Sequence, residues 1–311
     1  MGKITDRIDN ITGMKEKHFS LKPPTPESVK IELTGKCNFR CGFCAHNDRL
    51  RQTGAMDWDL FKRVVKEMRE AGVEELGMFY LGESFLDPRL PEAIRYAKED
   101  CGYPYVFLTT NGSLSTPEKV KECMEAGLDS LKFSLNYADE EQFKEIARVK
   151  GELFYTIAEN VKGAYKVREE GGYNCTLSAS FIEYTGDQAD KIEEYLADLS
   201  PHLDEMYALP LYNQAALVEN EDWTFVQGNR GRLDALRDPL PCWSIFTEGH
   251  ISFDGRLSAC CFDHDSRFDM GDLNTTSFMD AWHSEKFQEL RAKHIEKDVT
   301  GTICEQCVIY D

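Results

Sequence analysis

No stretch of this 311-residue sequence approaches the roughly 18 uninterrupted apolar residues of a membrane-spanning helix, so none is expected. Met1 to Lys17 is polar and charged and lacks the apolar run of a secretory signal. A cytoplasmic location is therefore expected, a compartment that keeps thiols reduced. Basic residues are scarce: 36 Lys and Arg stand against 55 Asp and Glu, a formal net charge of −19. Such a surface repels phosphate backbones and anionic lipid heads, which argues against nucleic-acid and membrane partners and would draw in a cationic substrate. There is no internal repeat and no low-complexity segment. With 41% hydrophobic and 29% charged residues, the composition is that of a globular enzyme, long enough for one large domain or two smaller ones.

Eleven cysteines are too dilute for a disulfide scaffold but high for a reducing compartment, and they are unevenly placed. Three fall within Cys37–Cys44 and five after residue 240, a clustering that points to metal. Cys101, Cys123 and Cys175 fall on expected helices or a strand and read as packing residues.

Residues 1–27 read as a polar lead-in ending in Pro23-Pro24-Thr25-Pro26. A βα rhythm follows. Strands are expected at Val29–Leu33, Leu76–Leu81, Tyr105–Leu108, Leu131–Leu135, Thr176–Ile182 and Met206–Leu211. Helices are expected at Trp58–Ala71, Pro91–Glu99, Pro117–Ala126, Glu140–Ala147, Phe154–Glu169 and Ala189–Leu199. Six such units imply a parallel sheet with helices outside, either an incomplete barrel or an open doubly wound sheet. The rhythm stops near residue 215. Residues 242–311 carry one hairpin turn (Asp254-Gly255) and one expected helix (Phe278–Lys293), a module too small to rely on its own core.

The most informative stretch runs from Thr34 to Cys44. Its three thiolates can wrap one face of an iron–sulfur cubane, which wants four soft ligands. No fourth cysteine is near, so one iron stays open, the mark of a site that does chemistry. The competing reading is a zinc knuckle finished by His46, which the C-x3-C-x2-C order fits poorly.

Here the sequence resembles the radical S-adenosylmethionine (SAM) enzymes, whose hallmark is C-x3-C-x-aromatic-C after the first strand of a partial (β/α)6 barrel; Cys37, Cys41, Phe43 and Cys44 match it. The resemblance implies a 4Fe–4S cluster on those cysteines, with S-adenosylmethionine bound through its amino and carboxylate groups at the open iron. Reductive cleavage then yields a 5'-deoxyadenosyl radical that takes hydrogen from a substrate. It implies an external one-electron donor such as flavodoxin or ferredoxin, and it selects the partial, TIM-like barrel over the open sheet. Gly82 and Glu83 resemble the family's Gly-Gly-Glu-Pro motif, although Leu81 and Ser84 replace its first glycine and its proline; Glu83 is the expected partner of the cosubstrate amino group. Asn111 belongs to a Thr-Asn-Gly motif after the third strand. Ser134 and Asn136 occupy the Ser-Leu-Asp position after the fourth, toward the ribose and methionine carboxylate. Arg148 and Ser178 (or Ser180) are further candidates. Each lies at or just past a strand end, where barrel enzymes gather their active-site groups.

In the second group, Cys242-x12-Gly255-x4-Cys260 precedes Cys304-x2-Cys307. Spacing alone allows a closed four-cysteine zinc site or a second cluster. With the barrel, the group resembles a SPASM module or its shorter twitch form. The five cysteines present are fewer than a full SPASM module needs, which implies one auxiliary 4Fe–4S cluster. The implied organisation is a lead-in over 1–27, the barrel over 28–215, a linker over 216–241 and the auxiliary module over 242–311. Cys261, beside a ligand, is either a passenger or a hydrogen donor to a substrate radical.

The expected reaction is dehydrogenation of a hydroxyl carbon on a sugar, cyclitol or aminoglycoside, with Tyr212, His250 or His264 as base. The alternatives are radical epimerisation with Cys261 returning hydrogen, modification of a peptide, and a non-enzymatic zinc-stapled binding module. The lead-in is too short for the leader-binding domain that many peptide modifiers carry.

Overall fold

The computed structural model describes residues 3–48, 50–183, 186–218 and 240–307. Most of the expected linker, 219–239, lies outside them. Six parallel strands form the barrel wall: β1 (Ser28–Ile31), β2 (Glu75–Gly77), β3 (Tyr105–Thr110), β4 (Ser130–Ser134), β5 (Thr176–Ile182) and β6 (Glu205–Leu209). They follow one another in chain order across the sheet, as a partial barrel requires. Between them run α2 (Trp58–Glu70), α3 (Leu90–Arg95), α4 (Pro117–Glu125), α5 (Glu140–Ala147), α6 (Leu153–Gly171) and α7 (Asp187–Leu199). α1 (Ile4–Thr12) precedes the barrel.

These helices start where their sequences supply a cap. Asp57 accepts from Leu60 N, Thr116 from Lys119 N ahead of Pro117, and Asp139 from Gln142 N. α2 then buries Leu60, Phe61, Val64, Val65 and Met68 against the sheet. The strands alternate accordingly. Val106 and Leu108 on β3, and Leu131 and Phe133 on β4, are buried in the main core, whereas Tyr105, Phe107, Thr109 and Lys132 line a cavity inside the barrel. A parallel sheet covered on both faces is normally apolar on both; here the inner face encloses space, which admits polar and aromatic side chains.

The structure differs from the sequence expectations in three places. The lead-in contains α1, whose Ile4 and Ile11 are buried and which closes the lower end of the cavity. The sheet continues past residue 242: β7 (Glu248–Ile251) pairs in parallel with β1, then runs antiparallel through β8 (Arg256–Ser258) to β9 (Asp269–Asp272). The β7–β8 turn is the expected one, with Gly255 at φ +82°. The single helix expected over Phe278–Lys293 is two, α9 (Phe278–Trp282) and α10 (Glu285–Ile295), because Ser284 accepts from Phe287 N and caps a new helix. A short helix, α8 (Ser244–Thr247), precedes β7.

Arg291 on α10 ties this region to the lead-in. Its guanidinium lies 4.3 Å from the ring centres of both Trp282 and Phe287. It donates to the carbonyls of Ile245 (2.8 Å), Trp282 (2.7 Å) and Leu21 (3.2 Å). No carboxylate among the described residues balances it, and burial brings its pKa down to about 9. Arg291→Met keeps the stem but strands the buried carbonyls of Ile245 and Trp282, at a cost of about 2–4 kcal/mol. Thermal melting at a fixed scan rate should show a midpoint lower by about 3–6 °C; an unchanged midpoint contradicts this role.

Candidate active site

The first cysteine loop leaves β1 and is pinned along its length. At its base Met56 N donates to Leu33 O (2.8 Å) and Gly35 N to Gly54 O (2.9 Å). Arg51 donates to both carboxylate oxygens of buried Glu32 (2.6 and 2.9 Å), whose Oε2 also accepts from Phe253 N. At its crown, Arg40 N and Gly42 N donate to the carbonyls of Ala147 and Ile146 at the end of α5 (3.0 and 2.8 Å). A helix C-terminus has carbonyls left over, and here they position the segment between Cys37 and Cys44.

The three thiols act on one another. Burial, followed by the neighbouring Glu83 and Cys44 charges, pushes Cys37 up to about 12. Burial pushes Cys44 up to about 11, with Asp48 adding to it. Cys41 is raised further by burial, Cys44 and Cys37. The leading causes for the three are burial and neighbouring anions, and none is a cation. Bound iron would supply the positive charge that lets the protons leave. Among the described residues, no three His, Cys, Asp or Glu converge as the ligands of a single ion do. Cubane ligands each take a separate iron and need no such convergence. The His46 ring, the zinc reading's fourth ligand, lies 6.3 Å from the His264 ring. The donor set therefore fits a cubane held by Cys37, Cys41 and Cys44.

The expected cosubstrate residues gather around this loop. Glu83 is buried; its Oε1 accepts from Thr110 Oγ1 (2.8 Å) and Phe85 N (3.1 Å), and its Oε2 from Asn111 N (2.8 Å). Oε2 keeps one further acceptor position. Glu83 N donates to Lys36 O (2.8 Å), and Asn111 Nδ2 donates to Asn38 Oδ1 (2.9 Å). Gly82 lies against the cysteine loop: a Cβ there would stand 2.3 Å from Thr34 O and 2.7 Å from Lys36 O. Phe43 is half-buried within the loop. Ser134 ends β4 beside Ser180 of β5, and Asn136 follows, half-buried. Arg148 is exposed and caps α5 in the left-handed conformation, one residue beyond the carbonyl that holds Arg40. Ser178 is fully buried, and its Oγ has no hydrogen-bond partner among the described residues.

The second cysteine group also comes together. Cys242 is raised well above the usual thiol range by burial, then by Cys304, Cys307 and Cys261. Cys260 is raised by its hydrogen bond to Cys261, then by burial and Cys307. Cys304 is pushed to about 12 by burial and Cys307. Four thiols from three segments can hold a second cluster, with the fifth, Cys261, beside them. Tyr80, just past β2, donates to Cys260 O and links this site to the barrel.

Inside the barrel lies the lumen, a cavity of about 320 Å³ reaching from α1 up to Thr109, Tyr212, Cys261 and Phe262, and so to the edge of the second cysteine group. Its charges are mostly paired. Lys30 Nζ lies 2.7 Å from Glu248 Oε2, which also meets His250 Nε2 at 2.9 Å. Burial pushes Glu248 up, but Lys30 and His250 outweigh it and hold it at about 2. Arg7 of α1 pairs with Glu75. Of the three expected bases, Tyr212 alone lines the lumen; His250 is buried against Glu248, and His264 faces the separate cavity beside Cys37 and Arg51.

Sequence reading missed several residues. Tyr137 Oη is 3.2 Å from Cys41 Sγ. Gln214 reaches Cys44 and accepts from Ala45 N (2.9 Å); nothing local marks it. Lys30, Lys132 and Glu248 were findable as charges inside otherwise buried strands.

The sequence matches the model of the radical SAM superfamily over residues 31–196 and that of an iron–sulfur cluster-binding domain, SPASM, over 242–308. It is 36% identical over 283 residues to a GTP 3',8-cyclase of Chlorobaculum tepidum, across 78% of this chain and 80% of that protein. Among solved structures, it resembles BtrN in complex with AdoMet and 2-DOIA (TM-score 0.57, 17% identity, 87% of each chain). It also resembles Streptococcus suis SuiB bound to the precursor peptide SuiA (TM-score 0.66, 13% identity, 88% of this chain and 68% of that one). No described helix is long and apolar enough to cross a membrane.

Gly82→Ala must push the backbone of the cysteine loop. Anaerobically reconstituted wild type should carry about eight irons per chain, four for each cubane, and the variant about four. Full iron loading of the variant would show that this packing does not position the loop.

Proposed function

The chain belongs to the radical SAM superfamily, with a SPASM-type iron–sulfur domain, and on that footing we propose that it dehydrogenates a hydroxyl-bearing carbon of a small carbohydrate-like molecule held in the lumen. Its cofactors are 4Fe–4S clusters and S-adenosylmethionine, and it needs an external electron donor, for which a flavodoxin or ferredoxin is the class we favour. When bound, these groups supply the 5'-deoxyadenosyl radical that removes a hydrogen atom, and an acceptor for the electron that the substrate gives up. Cys37, Cys41 and Cys44 would hold the SAM-binding cluster, and Cys242, Cys260, Cys304 and Cys307 the auxiliary one. Gly82, Glu83, Asn111, Ser134, Asn136 and Arg148 would surround the cosubstrate, with Ser180, the register partner of Ser134, as the β5 contributor rather than the fully buried Ser178. Membership in an enzyme family sets the zinc-stapled binding module aside.

The lumen carries the reading of the substrate. Its volume is at the small end for ligand pockets and suits one sugar-sized ring. The walls combine aromatic faces such as Tyr105, Phe107 and Tyr207 with polar groups, as sugar rings require. BtrN's complex with 2-DOIA agrees with a small substrate, while SuiB's complex with a precursor peptide keeps peptide modification as an alternative. A GTP-like substrate would ask for several unpaired cations around its triphosphate. Among the described lumen residues Arg7 and Lys30 are committed to carboxylates, which leaves Lys132 as a single unpaired cation. Tyr212, which lines the lumen beside Phe262 at 5.7 Å between ring centres, would take the hydroxyl proton.

One observation favours a second reading, epimerisation: Cys261 lines the same lumen. Cys261→Ala and Cys261→Ser, checked for full iron content, separate the two. Dehydrogenation predicts turnover within about threefold of wild type, a ketone product and no solvent hydrogen on carbon. Stalled turnover in both variants, with solvent deuterium placed on the wild-type product, would replace dehydrogenation by epimerisation. Incubation with reductant, S-adenosylmethionine and a panel of cyclitols, aminoglycosides and peptides should give 5'-deoxyadenosine fastest with a cyclitol or aminoglycoside; acceleration by peptides alone would contradict the small-substrate reading.

A further inference from the structure

Lys132 sits in the middle of β4, on the face opposite Leu131 and Phe133, and lines the lumen. Unlike Arg7 and Lys30, it has no ion pair or hydrogen bond among the described residues; its nearest recorded partner is the Tyr207 ring, 5.8 Å from Nζ. Its side chain is half-buried and borders the cavity. Burial, followed by the Lys30 charge, lowers its pKa to about 8, with the charge of Glu248 acting the other way. A cation withdrawn from water without a bonded counter-ion is costly.

A second orphan stands beside it. Ser178 is the register partner of Lys132 on β5. It is fully buried, and its Oγ lacks a partner among the described residues. An ammonium and a hydroxyl on adjacent strands, both unsatisfied, call for one acceptor group between them.

We propose that Lys132 and Ser178 form an anion subsite for a carboxylate of the substrate, so that the molecule taken into the lumen is a small hydroxylated carboxylic acid of the sugar-acid type. A single negative charge suits the site better than a phosphate dianion, because Glu248 already stands in the lumen as an anion. The spacing is also right. Lys132 and Ser134 are two residues apart on one strand face, about 7 Å along the barrel axis. An acid group on Lys132 therefore leaves a carbon several bonds away near the level of Ser134. The acidic exterior and the lumen thus differ in sign, and the lumen is what the substrate meets last.

The sugar-acid form of this proposal rests on the carbohydrate reading; the anion subsite does not, and two probe pairs keep them apart. Calorimetric titration of the iron-loaded protein with S-adenosylmethionine present would compare D-glucuronate with D-glucose, and benzoate with benzyl alcohol. In wild type each acid should bind at least about tenfold tighter than its neutral partner. Lys132→Met should reduce that preference below about threefold, Lys132→Arg should keep most of it, and Ser178→Ala should weaken both acids. Preference within the benzoate pair alone, abolished by Lys132→Met, would uphold the anion subsite while removing the carbohydrate reading. Binding of neither acid, equal affinity within each pair, or a preference that survives Lys132→Met would overturn the proposal.

Discussion

The hydrogen bonds from Arg40 N and Gly42 N to the last carbonyls of α5 are the constraint on which the first site depends. Three half-buried thiols close together would repel one another once deprotonated, as the upward shifts of Cys37 and Cys41 reflect. The loop that carries them must therefore be held in place by something other than its own charges. The structure uses backbone: α5 at the crown, Lys36 O against Glu83 N on the flank, and the 33–56 and 35–54 pairings at the base. Glu83 extends this frame, since its carboxylate binds the loops after β2 and β3 to each other. The cosubstrate residues are arranged on the same scaffold that arranges the metal ligands.

The auxiliary region is tied to this frame rather than appended to it. β7 lies beside β1 in parallel register, with Val29 opposite Gly249, so the strand that launches the first cysteine loop borders the strand that follows Cys242. Tyr80 makes a second link, from the end of β2 to Cys260. Movement at one site would be felt at the other through a shared sheet. The lumen borders Tyr80 and Cys261, and its paired charges (Lys30 with Glu248, Arg7 with Glu75) leave Lys132 as the exception.

The parts visible in sequence were those with a short-range signature. The cysteine spacings, the start of α4 at Pro117, and the boundaries of α5 and β5 all follow from residues near one another in the chain. Parallel pairing of β7 with β1 was not visible, because it joins segments more than 200 residues apart and leaves no local mark. The same holds for Gln214 and Tyr137 near Cys44 and Cys41. The break at Ser284 was legible in principle, since serine before Glu285 is a capping signal inside an apolar pattern. α1 was misread as lead-in because its apolar residues are few; they become meaningful only once there is a barrel end for them to cover. Lys132 had a signal, a lysine between Leu131 and Phe133, whose meaning depends on the hollow it faces.

The claim at the centre is that the first cluster presents an iron without a protein ligand to S-adenosylmethionine. Pulsed electron–nuclear double resonance on the reduced enzyme, with cosubstrate labelled by nitrogen-15 in the amino group and oxygen-17 in the carboxylate, tests it directly. The account predicts hyperfine coupling from both labels to the cluster spin, lost when Cys41 is replaced by alanine. A fully loaded, reduced cluster that shows no coupling to either label would mean that a protein group occupies the fourth corner.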